Sequence, residues 1–303
     1  MSEHHNHHHH HAVGGKKLFI TIILNVIITL SQIVGGLISG SLALLSDAVH
    51  NFSDVMALVI AYGANRIAAR PNTYAHTFGY KRAEILAALF NASVLVGIAV
   101  FLISESFYKF YHPEPIDSTW VIALGLLSIV LNAASVLLIK DDAHGNMNIR
   151  AAYLHLLTDV MTSVAVVVGG LLMYYFEIFW VDPLISMLIA FYLIWASIGL
   201  IKESTAVLMQ FTPTQLNISE VINTIKELEE VEDVHHIHIW RLNDKQIHLE
   251  AHLDFAIDLT LGESNKVLDT LEAVLQKQYH IGHTTFQCEY RRCDNREDVR
   301  SKE

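Results

Sequence analysis

Four stretches of the chain, residues 18–46, 85–104, 118–139 and 183–201, hold no Lys, Arg, Asp or Glu and are built mainly from apolar residues. A bilayer core takes about 20 apolar residues as one helix, so each run is long enough to cross it. Two further apolar stretches carry isolated acids, Asp47 and Asp54 within 42–65 and Asp159 within 151–176. The pattern therefore predicts six membrane-spanning helices, near 17–39, 42–66, 84–109, 118–139, 150–176 and 183–207. Gly40-Ser41 separates the first from the second, Pro113 and Pro115 mark the loop after the third, and Asp182-Pro183 opens the sixth. An even number of spans leaves both termini on one side.

From Thr212-Pro213 onward the periodicity changes. Residues 215–230 and 263–278 repeat as helices, with Leu268, Leu271 and Leu275 at i, i+3 and i+7, while 234–242, 246–255 and 284–290 alternate as strands. The order αββαβ predicts a small α+β domain, ferredoxin-like, with helices layered on a sheet. Three regions result: a His-rich N-terminus at 1–16 with little apolar content, expected to be disordered; a six-helix transmembrane domain at 17–208; and a cytosolic domain at 209–303.

Charge sharpens this division. The first 208 residues hold 10 Lys+Arg and 13 Asp+Glu, and the last 95 hold 10 and 18, so the tail alone carries −8 of the net −11. That sign argues against nucleic-acid binding. Two cysteines, Cys288 and Cys293, are too few for a disulfide framework. No secretory signal peptide is evident, because the first apolar run is too long for one. Lys16, Lys17, Arg66, Arg70, Lys81, Arg82, Lys140 and Arg150 fall on the side of the termini, against Lys109 alone on the other. The positive-inside rule then puts both termini in the cytosol of a multi-pass cell (inner) membrane protein.

The candidate chemistry is a repeated pair. His50-x-x-x-Asp54 lies in the second span and His155-x-x-x-Asp159 in the fifth. A spacing of four puts both side chains of a pair on one helical face. Two such helices side by side would offer two imidazoles and two carboxylates to one point, a tetrahedral N₂O₂ set suited to Zn²⁺, with Cd²⁺ and Co²⁺ as alternatives. Ionisable groups at membrane depth cost about 2.5–3.5 kcal/mol each, so they tend to mark a pathway. The bland alternative is a local i,i+4 hydrogen bond in each helix. Asp47, seven residues before Asp54, is read as an outer partner of His50 or an entrance charge. In the tail, His236 and His238 alternate on one strand and His248, Glu250 and His252 on the next, either a metal site or a solvated sheet face. His283, Glu289 and Cys293 follow. The segment HLEAH is not a protease motif, since it alternates as a strand.

The stretches SLALLSDAVHNFSD from Ser41, HTFGYKRAEILAALFNA from His76 and YLHLLTD from Tyr153 resemble the cation diffusion facilitator family, in its zinc-transporting branch, over nearly the whole chain. The resemblance implies a proton-coupled exporter rather than an enzyme, working as a homodimer in the lipid bilayer, with Zn²⁺ as transported substrate and regulatory tail ligand and protons as counter-ion. It assigns His50, Asp54, His155 and Asp159 to the transport site. In the tail it assigns His238, His252, His283 and Glu289, with Cys293 or alternatively Cys288. A loop site of some relatives, made of an acid and two histidines, is represented here by His76 alone, with Tyr80 at the second histidine position. A His-rich loop between the fourth and fifth spans is missing, leaving only His144. The N-terminal histidines are either a native metal collector or an altered purification tag.

Overall fold

In the computed structural model, residues 15–140, 147–243 and 246–292 are described. The N-terminal histidines, His144 and Cys293 lie outside them. Six long helices come first: α1 Gly15–Ser39, α2 Leu42–Ala68, α3 Ala83–Tyr111, α4 Ser118–Ile139, α5 Met147–Phe176 and α6 Val181–Leu208. All six contain a segment long and apolar enough to cross a membrane. Their bounds agree with the six predicted spans to within about three residues, because Gly40-Ser41, Pro113, Pro115 and Asp182-Pro183 punctuate the chain as expected.

The chain forms two compact units, Met1–Ile60 with Phe90–Gly199, and Ala61–Leu89 with Leu200–Glu303. The first unit has the burial pattern of a protein in lipid. Leu30, Leu37, Phe101, Leu137, Leu188 and Trp195 are exposed, while Gln32, Ser46, Asp47, Asn51, Asn132 and Ser186 are buried. Backbone groups are satisfied within each helix, and polar side chains turn inward to find partners. Small residues let the helices approach closely. A Cβ added at Gly125 of α4 would meet Val167 of α5 at 2.6 Å, and α1 and α4 touch at Gly35 in the same way.

The second unit contains α7 Ile218–Lys226, β1 Val231–Arg241, β2 Ile247–Phe255, α8 Leu261–Tyr279 and β3 Ile281–Glu289. The sheet order is β1-β2-β3, with β1 antiparallel to β2 and β3 parallel to it. This is the expected αββαβ domain. Val221 and Ile225 of α7, Leu271 and Leu275 of α8, and Ile237, Ile239, Leu249 and Leu253 of the sheet form its core. Truncating a buried leucine of this kind to alanine costs about 2–5 kcal/mol. A capping box between Thr260 and Glu263 starts α8, and His280 in the left-handed region ends it. The pairing is irregular at one point: His236 has a φ of 50°, and the β1–β2 register shifts between His235 and His238.

Candidate metal centre

His50 and Asp54 of α2 and His155 and Asp159 of α5 converge, each offering one ligand atom, with all four atoms within 4.8 Å of one another. The pairing is crosswise. His50 Nε2 stands 3.1 Å from Asp159 Oδ1, and His155 Nε2 stands 3.0 Å from Asp54 Oδ2. Within each helix the His–Asp separations are 3.9 and 4.0 Å. The short contacts thus join the two helices, and the local i,i+4 hydrogen bond is not what this spacing makes. Donors at 2.0–2.2 Å from a tetrahedral ion would stand about 3.3–3.6 Å apart, between the crosswise and the within-helix separations of this set.

Burial divides the four. The side chains of His50 and Asp159 are 7% and 0% exposed, whereas those of Asp54 and His155 are 26% and 42% exposed. The accessible pair lies toward the C-terminal end of α2 and the N-terminal end of α5, the side of the chain termini. His50 Nδ1 and Asp159 Oδ2 are buried without a hydrogen bond. Unpaired buried polar atoms of this kind are costly, and a cation among the four side chains would engage them.

Asp47 is fully buried beside this centre, and its partners are not the ligands. It accepts from the Gln32 amide of α1 and from Thr162 and Ser163 of α5, the latter two at 3.0 and 3.2 Å. Asn51 donates to Gln32 at 3.0 Å, and Ser128 of α4 meets Ser163 at 2.8 Å. Asp47 therefore binds α1 and α5 to α2 and, through Ser163, reaches α4.

A second cluster sits on the sheet. His235, His236 and His252 bring ligand atoms within 4.8 Å of one another. Glu289 of β3 adds a carboxylate 3.1 Å from His252 Nδ1 and 3.6 Å from His235 Nε2, and accepts from Gln287 at 2.6 Å. His238 and His283 are not in this group. His238 is exposed opposite Glu250. His283 lies against His248, ring centres 4.6 Å apart, where Trp240 stacks on His248 and Phe78 meets its edge. Burial lowers the His248 pKa, with smaller contributions from His283, Lys81 and Arg82. His76 is exposed, stacked on Tyr80 and bonded to Thr73, and belongs to neither cluster. Burial raises the Cys288 thiol pKa, which disfavours the thiolate that binds metals.

Two family profiles match, the cation efflux transmembrane domain over residues 18–209 and the cation efflux protein cytoplasmic domain over residues 213–291. The chain belongs to the cation diffusion facilitator (cation efflux) family. It is 34% identical over 260 residues to the cadmium, cobalt and zinc/H(+)-K(+) antiporter of Bacillus subtilis, covering 85% of this chain and 83% of that one. It is 33% identical to the metal cation efflux system protein CzcD of Cupriavidus metallidurans over 88% of this chain and 83% of the relative. To the zinc transporter ZitB of Escherichia coli it is again 33% identical, over 87% and 84%. As a member of this transporter family, with six apolar helices, it is a multi-pass membrane protein.

Sequence reasoning missed His235. Regular alternation sets His235 on the face opposite His236 and His238. The bulge inserts one extra residue, so that His235 and His238 pair with His252 and Glu250, which share a face. The visible signal was the run His235-His236, because histidine is among the residues that tolerate the left-handed region. Nothing in the spacing pointed to the partners of Asp47, which come from other helices.

Proposed function

We propose that the protein exports Zn²⁺ from the cytosol in exchange for protons, with His50, Asp54, His155 and Asp159 holding the ion in transit. The observation that carries this reading is the crosswise pairing of α2 and α5 around two buried, unpaired ligand atoms. Neutral imidazole and carboxylate are the metal-binding forms, so each ion bound displaces protons, and protons arriving from the other side displace the ion. An inward proton gradient then drives metal outward. The groups titrate together, so proton release belongs to the set and not to single residues. Alternating access follows when the two conformations differ in affinity for ion and proton. Cd²⁺ and Co²⁺ fit the same donor set, in keeping with the name of the Bacillus subtilis relative, a cadmium, cobalt and zinc antiporter.

In this reading the protein is a homodimer of the cell (inner) membrane, both termini are cytosolic, and residues 209–303 form a regulatory domain. His235, His236, His252 and Glu289 are its metal-responsive set, in place of His238 and His283. Two tails of charge −8 repel, and bound Zn²⁺ reduces that repulsion, drawing the tails together and favouring the transporting state.

The test is Zn²⁺ flux into proteoliposomes under an imposed pH gradient, with Asp159→Ala alongside. Gradient-dependent flux that disappears in the variant is the expected result. Zinc binding without flux, in correctly inserted protein, would point to a sensor instead.

A further inference from the structure

We propose that Asp182 is a positioning residue that latches the N-terminal end of α2 to α6 and keeps the metal site closed on the side opposite the termini, a reading that rests on the transport function above. Asp182 stands in the first turn of α6 and is fully buried. Its carboxylate accepts the backbone N–H of Leu42 at 2.7 Å and of Ala43 at 3.3 Å, and the hydroxyl of Ser41. Those N–H groups belong to the first turn of α2, where donors lack an intrahelical partner and negative charge is favoured. The Ser41 hydroxyl in turn accepts from Leu44 N–H at 3.1 Å. The end of α2 is therefore capped from its own chain segment and from another helix at once.

The neighbouring contacts close the same end. Lys109 of α3 donates to the Gly40 carbonyl at 3.0 Å, and Asp117, just before α4, donates its N–H to the Ser39 carbonyl at 3.2 Å. One turn deeper, Ser186 of α6 meets Ser46 of α2 at 2.6 Å and Ser106 of α3 at 3.1 Å. Ala43, Leu44, Leu102, Ile189, Ala190 and Leu193 pack in the same core. His50 lies eight residues beyond Leu42 along the helix, about 12 Å. An ion at His50 and Asp159 is thus separated from that side by a hydrogen-bonded joint above an apolar layer, while Asp54 and His155 remain accessible from the other.

Hydrogen bonds suit a joint that must open. The carboxylate, the two N–H groups and the Ser41 hydroxyl can each exchange their partner for water, and small residues such as Ala43 and Ala190 offer little interlocking resistance to sliding. Release of Asp182 frees α2, which carries half the metal site, to move against α6.

The test uses the full chain with Cys288 and Cys293 replaced by serine and a single reporter, Ser46→Cys. A membrane-impermeant maleimide is applied from the side opposite the termini. Labelling should be slow with Asp182 present and about tenfold or more faster with Asp182→Asn, the scale expected for losing charge-assisted bonds. Asp182→Glu should restore slow labelling, and Ser41→Ala should give a smaller increase of the same sign. A second reporter, Ile60→Cys, labelled from the side of the termini, should keep its rate in all variants. Equal labelling of the Ser46→Cys reporter with and without the Asp182→Asn substitution would overturn the latch. Faster labelling at both reporters would also overturn it, since that reports general loosening. Neither readout requires flux, so failure of the transport reading, seen with Asp159→Ala, remains distinguishable.

Discussion

The transmembrane centre and the tail cluster use similar side chains but reach them by different geometry. In the membrane, two helices supply His and Asp at a fixed spacing of four, and helix geometry alone aligns each pair. On the sheet, three strands contribute, and one of them must bulge before His235 can join His252 and Glu289. A helix protects a motif from local irregularity because every turn repeats. In a strand, one extra residue reverses which side chains face the site.

Metal stoichiometry would break this comparison most directly. His235→Ala and Glu289→Ala should each weaken the tail equivalent of bound Zn²⁺ by about 10- to 100-fold, a scale reached by losing even an outer partner of a metal site. His50→Ala should leave the tail equivalent in place and remove the other. Deleting His236 should weaken tail binding less than His235→Ala, because it removes one imidazole and the extra residue while His235 stays opposite His252. Equilibrium dialysis of the full protein reads all four variants. Loss of tail binding in His238→Ala or His283→Ala, with His235→Ala unaffected, would return the site to the pattern of simple alternation.

A smaller effect tests how the membrane centre is supported. Asp47→Asn should lower thermal stability by about 1–2 kcal/mol, in the range of interhelical hydrogen bonds in membranes, because the carboxylate accepts from Gln32, Thr162 and Ser163. Gln32→Leu should lower it less, and the two changes together should cost less than their sum, since they share one bond. Strict additivity in a detergent melt would count against the network.

The smallest expected effect concerns His248. Its pKa is lowered below 6.5, first by burial and then by His283, Lys81 and Arg82. The folded state therefore holds fewer protons than the unfolded chain. The contact with Trp240 and Phe78 contributes fully above about pH 6.5 and weakens as pH falls through the lowered pKa. Titration of the His248 ring by NMR should show that lowered value, and Lys81→Ala should move it only part of the way back, because burial is the larger cause. A full return to the ordinary value in Lys81→Ala would make charge the dominant cause.

Six spans, the αββαβ domain and the four side chains between α2 and α5 are legible in the sequence. The reason is that each is expressed at short range: about 20 apolar residues per crossing, a period of 2 or 3.6, and a repeated spacing of four. Tail assignments were mixed. His252 and Glu289 are in the cluster, His238 and His283 are elsewhere, and His235 is set aside by an alternation that the bulge interrupts.

What the chain's order of residues determined by itself was which segments enter the membrane and which face of a helix carries His50 with Asp54 and His155 with Asp159. Only the tertiary structure decided that His50 pairs with Asp159 and His155 with Asp54, that Asp47 is held by Gln32, Thr162 and Ser163, and that Asp182 caps a helix 140 residues before it. Periodicity is a property of neighbours along the chain. Which unpaired donor meets which carboxylate is settled by the packing of distant helices, where a buried polar group must find a partner or bear the cost of having none.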